Sequence, residues 1–294
     1  MISIPLKKTV EVDLSTPILK YINEKYSSDI SKSLLDPVSR INSLRNEIIV
    51  KINDKDQHTL NLLQEYHDNL HCIQNRVPID ESTQMCEFKW IDAFDTSGFF
   101  SKSQLKSQMA DLDRVSILFC IAALSSQLAA EIDPSDNDNV KTCVSYYQSA
   151  ASIFSHIKYI FPKVCQSNPT TDFKQEVLEL LTLIMLAQGQ EIMYRKSERD
   201  EMKSGLIAKI CSQNYVFYAD ALKIFELKSL DGKLPKSWGP ILKQKKSYFA
   251  AFREYYQGKN CLEKKSYGEA IARFKVNFKT LYKKCLYKIL SITN

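Results

Sequence analysis

Residues 113–132, DRVSILFCIAALSSQLAAEI, decide the fold. Between Arg114 and Glu131 no side chain is charged, and apolar residues fall on most sides of a 3.6-residue helix. Such a segment reads as a central helix buried over most of its surface. An enclosed helix needs partners, and the flanking chain carries them. Val38, Ile41, Leu44 and Ile48 recur at helical spacing behind Asp36-Pro37, and Leu60, Leu63, Tyr66, Leu70 and Ile73 do so in the next segment. Downstream, the pattern predicts helices from Asp136 to Phe161, closed by Pro162, and from Thr171 to about Lys196. Only 7 glycines and 9 prolines in 294 residues argue for long elements joined by short connections.

Working outward, two short stretches alternate instead. Residues 2–13, with Ile2, Ile4, Leu6, Val10 and Val12 apolar, read as an extended edge segment. Cys86, Phe88 and Trp90 mark a second strand over 85–91 that can pair with it. Ser15 and Pro17 offer the cap and first-turn chemistry of a short helix to about Tyr26. From about Leu105 onward the chain reads as helical nearly throughout. The expected architecture is mainly all-α, one curved helical body with a small N-terminal β appendage. Near the end, AAFREYYQGKNCLEKKSYGEAIARFKVNF (250–278) reads as helix, turn, helix. There Gly258, Gly268 and Ala270 take the places that tetratricopeptide-like helix pairs give to small residues.

One further stretch, LIMLAQGQEIMYRKSERDEMKSGLIAKI (183–210), begins as an apolar helix, turns charged, and resumes an apolar rhythm at Leu206, Ile207 and Ile210. Ser197-Glu198-Arg199-Asp200 fits the S-x-x-[DE] capping pattern, so a helix stop and restart is expected there, with two antiparallel neighbours. Leu206 and Ile210 stand at i and i+4 and share a face. From periodicity alone, core packing accounts for them.

Composition bounds the function. With 44% hydrophobic and 25% charged residues the chain is ordinary globular material. No run of about 18 uncharged apolar residues exists, so no membrane-spanning helix is expected, and the N-terminus carries charge where a signal peptide needs its apolar region. The 8 cysteines are scattered without a C-x-x-C pair, which predicts reduced thiols in the cytosol, packed mostly as small hydrophobes. The net charge of +6 is unevenly placed: from Gly232 onward 15 Lys or Arg face 3 acids, a balance of +12 that leaves −6 on the first 231 residues. A basic end on a mildly acidic body suits contact with an acidic surface.

Catalytic patterns fail on inspection. His67 and His71 stand at i and i+4 as zinc ligands do in H-E-x-x-H, but Asp68 replaces the glutamate, and only His58 and His156 remain as third ligands. His71-Cys72 begins like a phosphatase H-C-x5-R loop, yet Pro78 occupies the arginine position. No Walker-type glycine loop or G-x-S-x-G exists. No enzyme activity, cofactor, metal or small-molecule substrate is expected. Tyr248, Phe249, Phe252, Tyr255, Tyr256 and Phe274 fall at helical spacings that suit packing, so the basic end is not read as a nucleic-acid surface.

Taken together, ISIPLKKTVEVDLSTPILKYI at the start, FKWIDAF (88–94), VSILFCIAALSSQLAAE (115–131), YYQSAASIFSHIK (146–158) and the 183–210 stretch resemble a BRO-type ("Bro-one") domain, in order and nearly gapless from residue 2 to about 274. The resemblance implies a banana-shaped, non-enzymatic adaptor of endosomal sorting, cytoplasmic and recruited to endosomes. Its partner would be the C-terminal amphipathic helix of an ESCRT-III subunit of the Snf-seven, or charged multivesicular body protein four, type. By the same resemblance, the apolar anchors of the groove fall on Met193, Leu206 and Ile210, where the family usually has phenylalanine in place of Met193. Lys196 and Lys141 fall on basic groove-edge positions, and Asn137 on a position where similar sequences carry aspartate. The likeness fades after Phe274 into KVNFKTLYKKCLYKILSITN, so a single domain over 1–294 is expected, shortened relative to the family, with a divergent end at about 275–294. The five lysines of that end, without acids, suit a peripheral contact with an anionic membrane.

Overall fold

A computed structural model describes residues 1–95, 103–165 and 168–276. By contact density the chain divides into two compact units, Ser3–Glu131 with Ser152–Glu179, and Met1–Ile2 with Ile132–Ala151 and Leu180–Asn294.

The first unit is built around helix α5 (Ala110–Glu131), the segment singled out above. By length and composition α5 could cross a membrane. Instead, 16 of its 22 residues are buried in the protein. Two of its polar side chains serve the backbone of the N-terminal segment. Ser126 Oγ accepts the Ile4 N–H at 2.9 Å, and Gln127 Nε2 donates to the Ile4 carbonyl at 2.6 Å. An extended chain laid on an apolar helix lacks a ladder partner there, and these two side chains supply one.

Beyond that clasp, strand β1 (Lys8–Thr9) pairs antiparallel with β2 (Phe88–Ile91), as expected. A third strand, β3 (Gln104–Ser107), completes the sheet in the order β1-β2-β3, with Trp90 opposite Thr9 on one side and Leu105 on the other. Helix was expected from Leu105 onward; alternation over only four residues carries too little periodicity to reveal a strand. Phe88 and Trp90 are fully buried, in keeping with the period of two.

Helices α1 (Ser15–Lys25), α2 (Ser28–Ser33), α3 (Leu35–Lys51) and α4 (Gln57–Gln74) complete the layer around α5. The α1 cap is Asp13, whose Oδ1 accepts the N–H groups of Ser15 and Thr16 at 3.0 and 3.2 Å; Ser15, the residue expected to cap, is already helical. Beneath the sheet lies a charged hub. Asp113, fully buried, accepts from Arg45 Nη2 at 3.1 Å, Tyr66 Oη at 2.6 Å and Trp90 Nε1 at 2.8 Å. A second buried pair, Lys7 with Asp172, lies against the Phe173 ring, 4.3 Å from the ammonium nitrogen to the centroid. Buried charges are tolerated only when paired and hydrogen-bonded, and both pairs meet that condition.

The second unit is helical among its described residues. α6 (Asn137–Val164) and α7 (Gln175–Arg199) contribute residues to both units, and α8 (Ser204–Phe225) and α9 (Trp238–Glu263) to this one alone. Pro162 lies inside the last turn of α6 rather than beyond it. α8 and α9 are antiparallel: Gly205 meets Asn260, while Phe225 at the other end of α8 meets Gly239. The chain turns out of α9 at Lys265, in a left-handed conformation (φ 61°), and a tenth helix, α10, covers 267–276. A Cβ on Gly258 would stand 2.7 Å from the Phe274 ring, so the small residue does set a close crossing. Gly268, expected to do the same, faces open space, and the buried small residue of α10 is Ala270. Five cysteines, Cys86, Cys120, Cys143, Cys211 and Cys261, are buried as expected, Cys72 is exposed, and Cys285 lies outside the described residues.

Candidate functional site

The charged elbow organises the site, but not through Ser197. α7 runs on to Arg199, and Ser197 is buried, its Oγ donating to the Tyr194 carbonyl at 2.8 Å. The helix stops in a Schellman motif. The Met202 N–H donates to the Ser197 carbonyl at 3.0 Å and the Glu201 N–H to the Glu198 carbonyl at 3.1 Å, with Glu201 in the left-handed region at φ 48°. The expected capping box therefore does not form, and α8 starts at Ser204 without a side-chain cap. The stop and restart stand, closed by backbone geometry that no short motif announces.

α8 is apolar on two faces. Ile207, Ala208, Cys211, Asn214, Tyr218 and Leu222 are buried on the side that packs the unit's core. Leu206, one position away from that face, is 47% exposed, and Ile210 is half-buried on the same outward side. Phe217, two turns further along, is also half-buried. Core packing thus explains one face of α8 and leaves Leu206 unaccounted for.

On α7, Met193 is half-buried and shares a face with Lys196 at i+3. The Lys196 ammonium donates to Asn137 Oδ1 at 2.9 Å and also pairs with Asp200. That hydrogen bond from Lys196 holds the Asp200 carboxyl below the ordinary range. Asn137 Oδ1 accepts as well from Arg199 Nη2 at 3.1 Å, and Arg199 Nη1 reaches the Pro134 and Ser135 carbonyls at 3.1 and 2.5 Å. Asn137 is therefore a clip between the start of α6 and the end of α7. Lys141, one turn along α6, is exposed and pairs with Asp138 at 3.0 Å. The structure thus joins Asn137 and Lys196 directly, sets Leu206 and Ile210 on one outward face, and leaves Lys141 on the surface.

Over residues 1–288 the sequence matches the family model described as BRO1-like domain. The chain belongs to that family. The match runs past Phe274, where the likeness fades in the sequence reading. Among relatives, programmed cell death 6-interacting protein of Xenopus laevis is 36% identical over 274 residues, 92% of this chain and 31% of its own length. The vacuolar protein-sorting protein bro1 of Emericella nidulans is 32% identical over 277 residues, 94% of this chain and 26% of its own. The chain thus spans about a third or less of the curated relatives it matches. The solved ALIX BRO1 CHMP4C complex superposes with a TM-score of 0.89 at 32% identity, over 96% of this chain and 79% of that one.

Behind the outward strip of this BRO1-like domain lies a polar hub that the sequence reading missed. Buried Glu191 accepts from Tyr218 Oη at 2.8 Å, Arg195 Nη2 at 2.9 Å and Lys245 Nζ at 2.5 Å. Burial alone would raise its pKa, yet Lys245, Tyr218 and Arg195 outweigh it and hold the carboxyl below its ordinary value. Glu198, a further two turns along α7, accepts from Tyr194 at 3.1 Å and Tyr256 at 2.7 Å. The Tyr194 ring makes edge contacts with Tyr248, Phe249, Phe252 and Tyr256. The aromatic ladder of α9 is thus packing, and part of the basic end is spent inside the unit on Glu191 and, through Arg253 and Arg273, on Glu254. Helical spacing places such residues on a face; which glutamate meets which lysine depends on partners more than fifty residues apart. As for the histidines, His67 Nδ1 lies 3.0 Å from Asp68 and His71 is exposed.

Proposed function

We propose that this BRO1-like domain, single over 1–294, is a cytoplasmic adaptor recruited to endosomes. It would capture the C-terminal amphipathic helix of an ESCRT-III subunit of the charged multivesicular body protein four type. The outward apolar strip of Leu206 and Ile210, with Met193 beyond the elbow, receives the apolar face of that helix. Lys196 and Lys141 attract its acidic face, and Asn137 holds Lys196 at the edge. Helix-in-groove recognition draws its energy from a few such anchors at helical spacing. The observation that carries this reading is the 47% exposure of Leu206 beside a neighbour, Ile207, that is 3% exposed. Likeness to the ALIX BRO1 CHMP4C complex supports the partner class. The role is one of binding, and nothing in it calls for chemistry.

A second reading keeps the fold and moves the contact to the basic end. Lys236, Lys259, Lys264, Lys265 and Lys275 are exposed there, as an anionic membrane or another acidic protein would require. Titration of a fluorescent ESCRT-III C-terminal helix at two salt concentrations separates the two. Apolar anchoring with lysine assistance predicts saturable binding that weakens modestly as salt rises. Binding abolished by moderate salt, or absent for the helix while present for anionic vesicles, selects the second reading.

A further inference from the structure

Both lysines that the groove reading sets at the edge are already paired with acids of this chain. Lys141 meets Asp138 at 3.0 Å, and Lys196 meets Asp200. The two pairs differ in their surroundings. Lys141 and Asp138 keep 77% and 91% of their side-chain surface in water, so that pair is screened and worth little. Lys196 and Asp200 keep only 23% and 31%.

Lys196 is also held from two sides. An ammonium has three N–H donors, and two of them are spent, on Asn137 Oδ1 at 2.9 Å and on Asp200 Oδ2. Asp200 Oδ1 in turn faces Arg199 Nε at 3.5 Å. The lysine assigned to an acid of the partner helix therefore has one already. Local helix energetics do not explain an acid at this position. Asp200 directly follows Arg199, the last residue of α7, where the negative end of the helix dipole disfavours a carboxylate. It also lies C-terminal to its lysine at i+4, the weaker order for such a pair. What Asp200 does accomplish is to put a carboxylate on the groove-edge ammonium.

We propose that Asp200 is a specificity-determining residue of the groove edge, a resident counter-ion that an acidic side chain of the bound helix must displace from Lys196. In that place it narrows the preference for acidic over neutral helices. The proposal rests on the groove reading and adds a residue to which that reading gives no role.

The test is fluorescence anisotropy with the labelled ESCRT-III C-terminal helix and a counterpart carrying Asn and Gln in place of its Asp and Glu. At low salt, Asp200→Asn should tighten the acidic helix about two- to five-fold, the scale of a partly exposed ion pair, and leave the neutral one unchanged. The gain should vanish in a Lys196→Gln background and fade as salt rises. Asp138→Asn, in open water, should change affinity less. A second measurement needs no variant: carboxyl carbon NMR of the parent should show Asp200 titrating higher once the acidic helix is bound, because Lys196 has left it. An Asp200→Asn protein that gains nothing, or gains equally for both helices, overturns the proposal and leaves the groove reading in place. So does an Asp200 carboxyl that titrates alike in the free and bound protein. Weaker binding of the acidic helix overturns it too and makes Asp200 a support that positions Lys196. If neither helix binds the parent or the variant, the groove reading falls and the proposal with it.

Discussion

Truncating Leu206 separates an anchor from a core residue quantitatively. Full burial of a leucine side chain is worth about 1.5–3 kcal/mol. Leu206 keeps 47% of its surface in water, so roughly half of that gain is still unrealised in the free protein. If a partner helix covers it, Leu206→Ala should cost ~1 kcal/mol of binding, about a five-fold loss in affinity. Folding stability should fall by less than the ~2–5 kcal/mol of a fully buried truncation, because half the site is already wet. Ile207 is the internal control. At 3% exposure it faces the core, so Ile207→Ala should lower stability by ~2–5 kcal/mol and leave the affinity of the folded fraction nearly unchanged. Ile210→Asp places a carboxylate on the apolar strip and should weaken binding more than Leu206→Ala does. Fluorescence anisotropy with a labelled ESCRT-III C-terminal helix, alongside thermal unfolding of each variant, reads both quantities. A folded Leu206→Ala protein with parental affinity refutes the anchor assignment. A stability loss as large as that of Ile207→Ala would mean the protein itself already covers the side chain.

Three further outcomes follow from the buried groups. Asp113→Ala strands the Arg45 guanidinium, which is 1% exposed, and should lower unfolding free energy by about 3–5 kcal/mol in urea titration; Arg45→Met with Asp113→Leu should recover only part of it, since Tyr66 and Trp90 still lack their acceptor, and equal losses in the single and double variants would refute the pairing. Glu191 has a depressed folded pKa, so its contribution is present above the unfolded carboxylate value near 4.5 and is lost as pH falls through the lower folded value. Glu191→Gln should therefore be less stable than the parent at pH 7, with the gap narrowing below about pH 4.5; a gap independent of pH would contradict this. Gly258→Ala drives a methyl to within 2.7 Å of the Phe274 ring and should cost ~1–3 kcal/mol, read as faster amide exchange in α9 and α10, while Gly268→Ala, facing open space, should be neutral or slightly stabilising.

Much of the geometry behind the proposed binding strip was legible in advance because it is local. Leu206 and Ile210 share a face by helical arithmetic, and a stop in α7 followed by a restart is visible in the change from apolar to charged residues. The residue that makes the stop was not legible. A serine followed by an acidic residue three positions on is a cap only if its hydroxyl faces the helix entrance, and here the Ser197 hydroxyl turns inward to Tyr194. Asn137 was expected to be a neutral edge position. Its carbonyl oxygen instead collects Lys196 and Arg199 from a helix some sixty residues away, a pairing that no short-range pattern encodes.

By itself the sequence determined what depends on neighbours within a few residues. That covers the enclosed helix over 113–132, the helical rhythm on both sides of it and the alternation at 2–13 and 85–91, while the ordered likeness to the BRO-type domain runs along the chain. Only tertiary structure decided which face of α8 is spent on the core and where the charges of Arg45, Lys7 and Glu191 find partners. The physical reason is range. Periodicity records which side of a helix avoids water, whereas pairing and residual exposure depend on chain that folds back from far along the sequence.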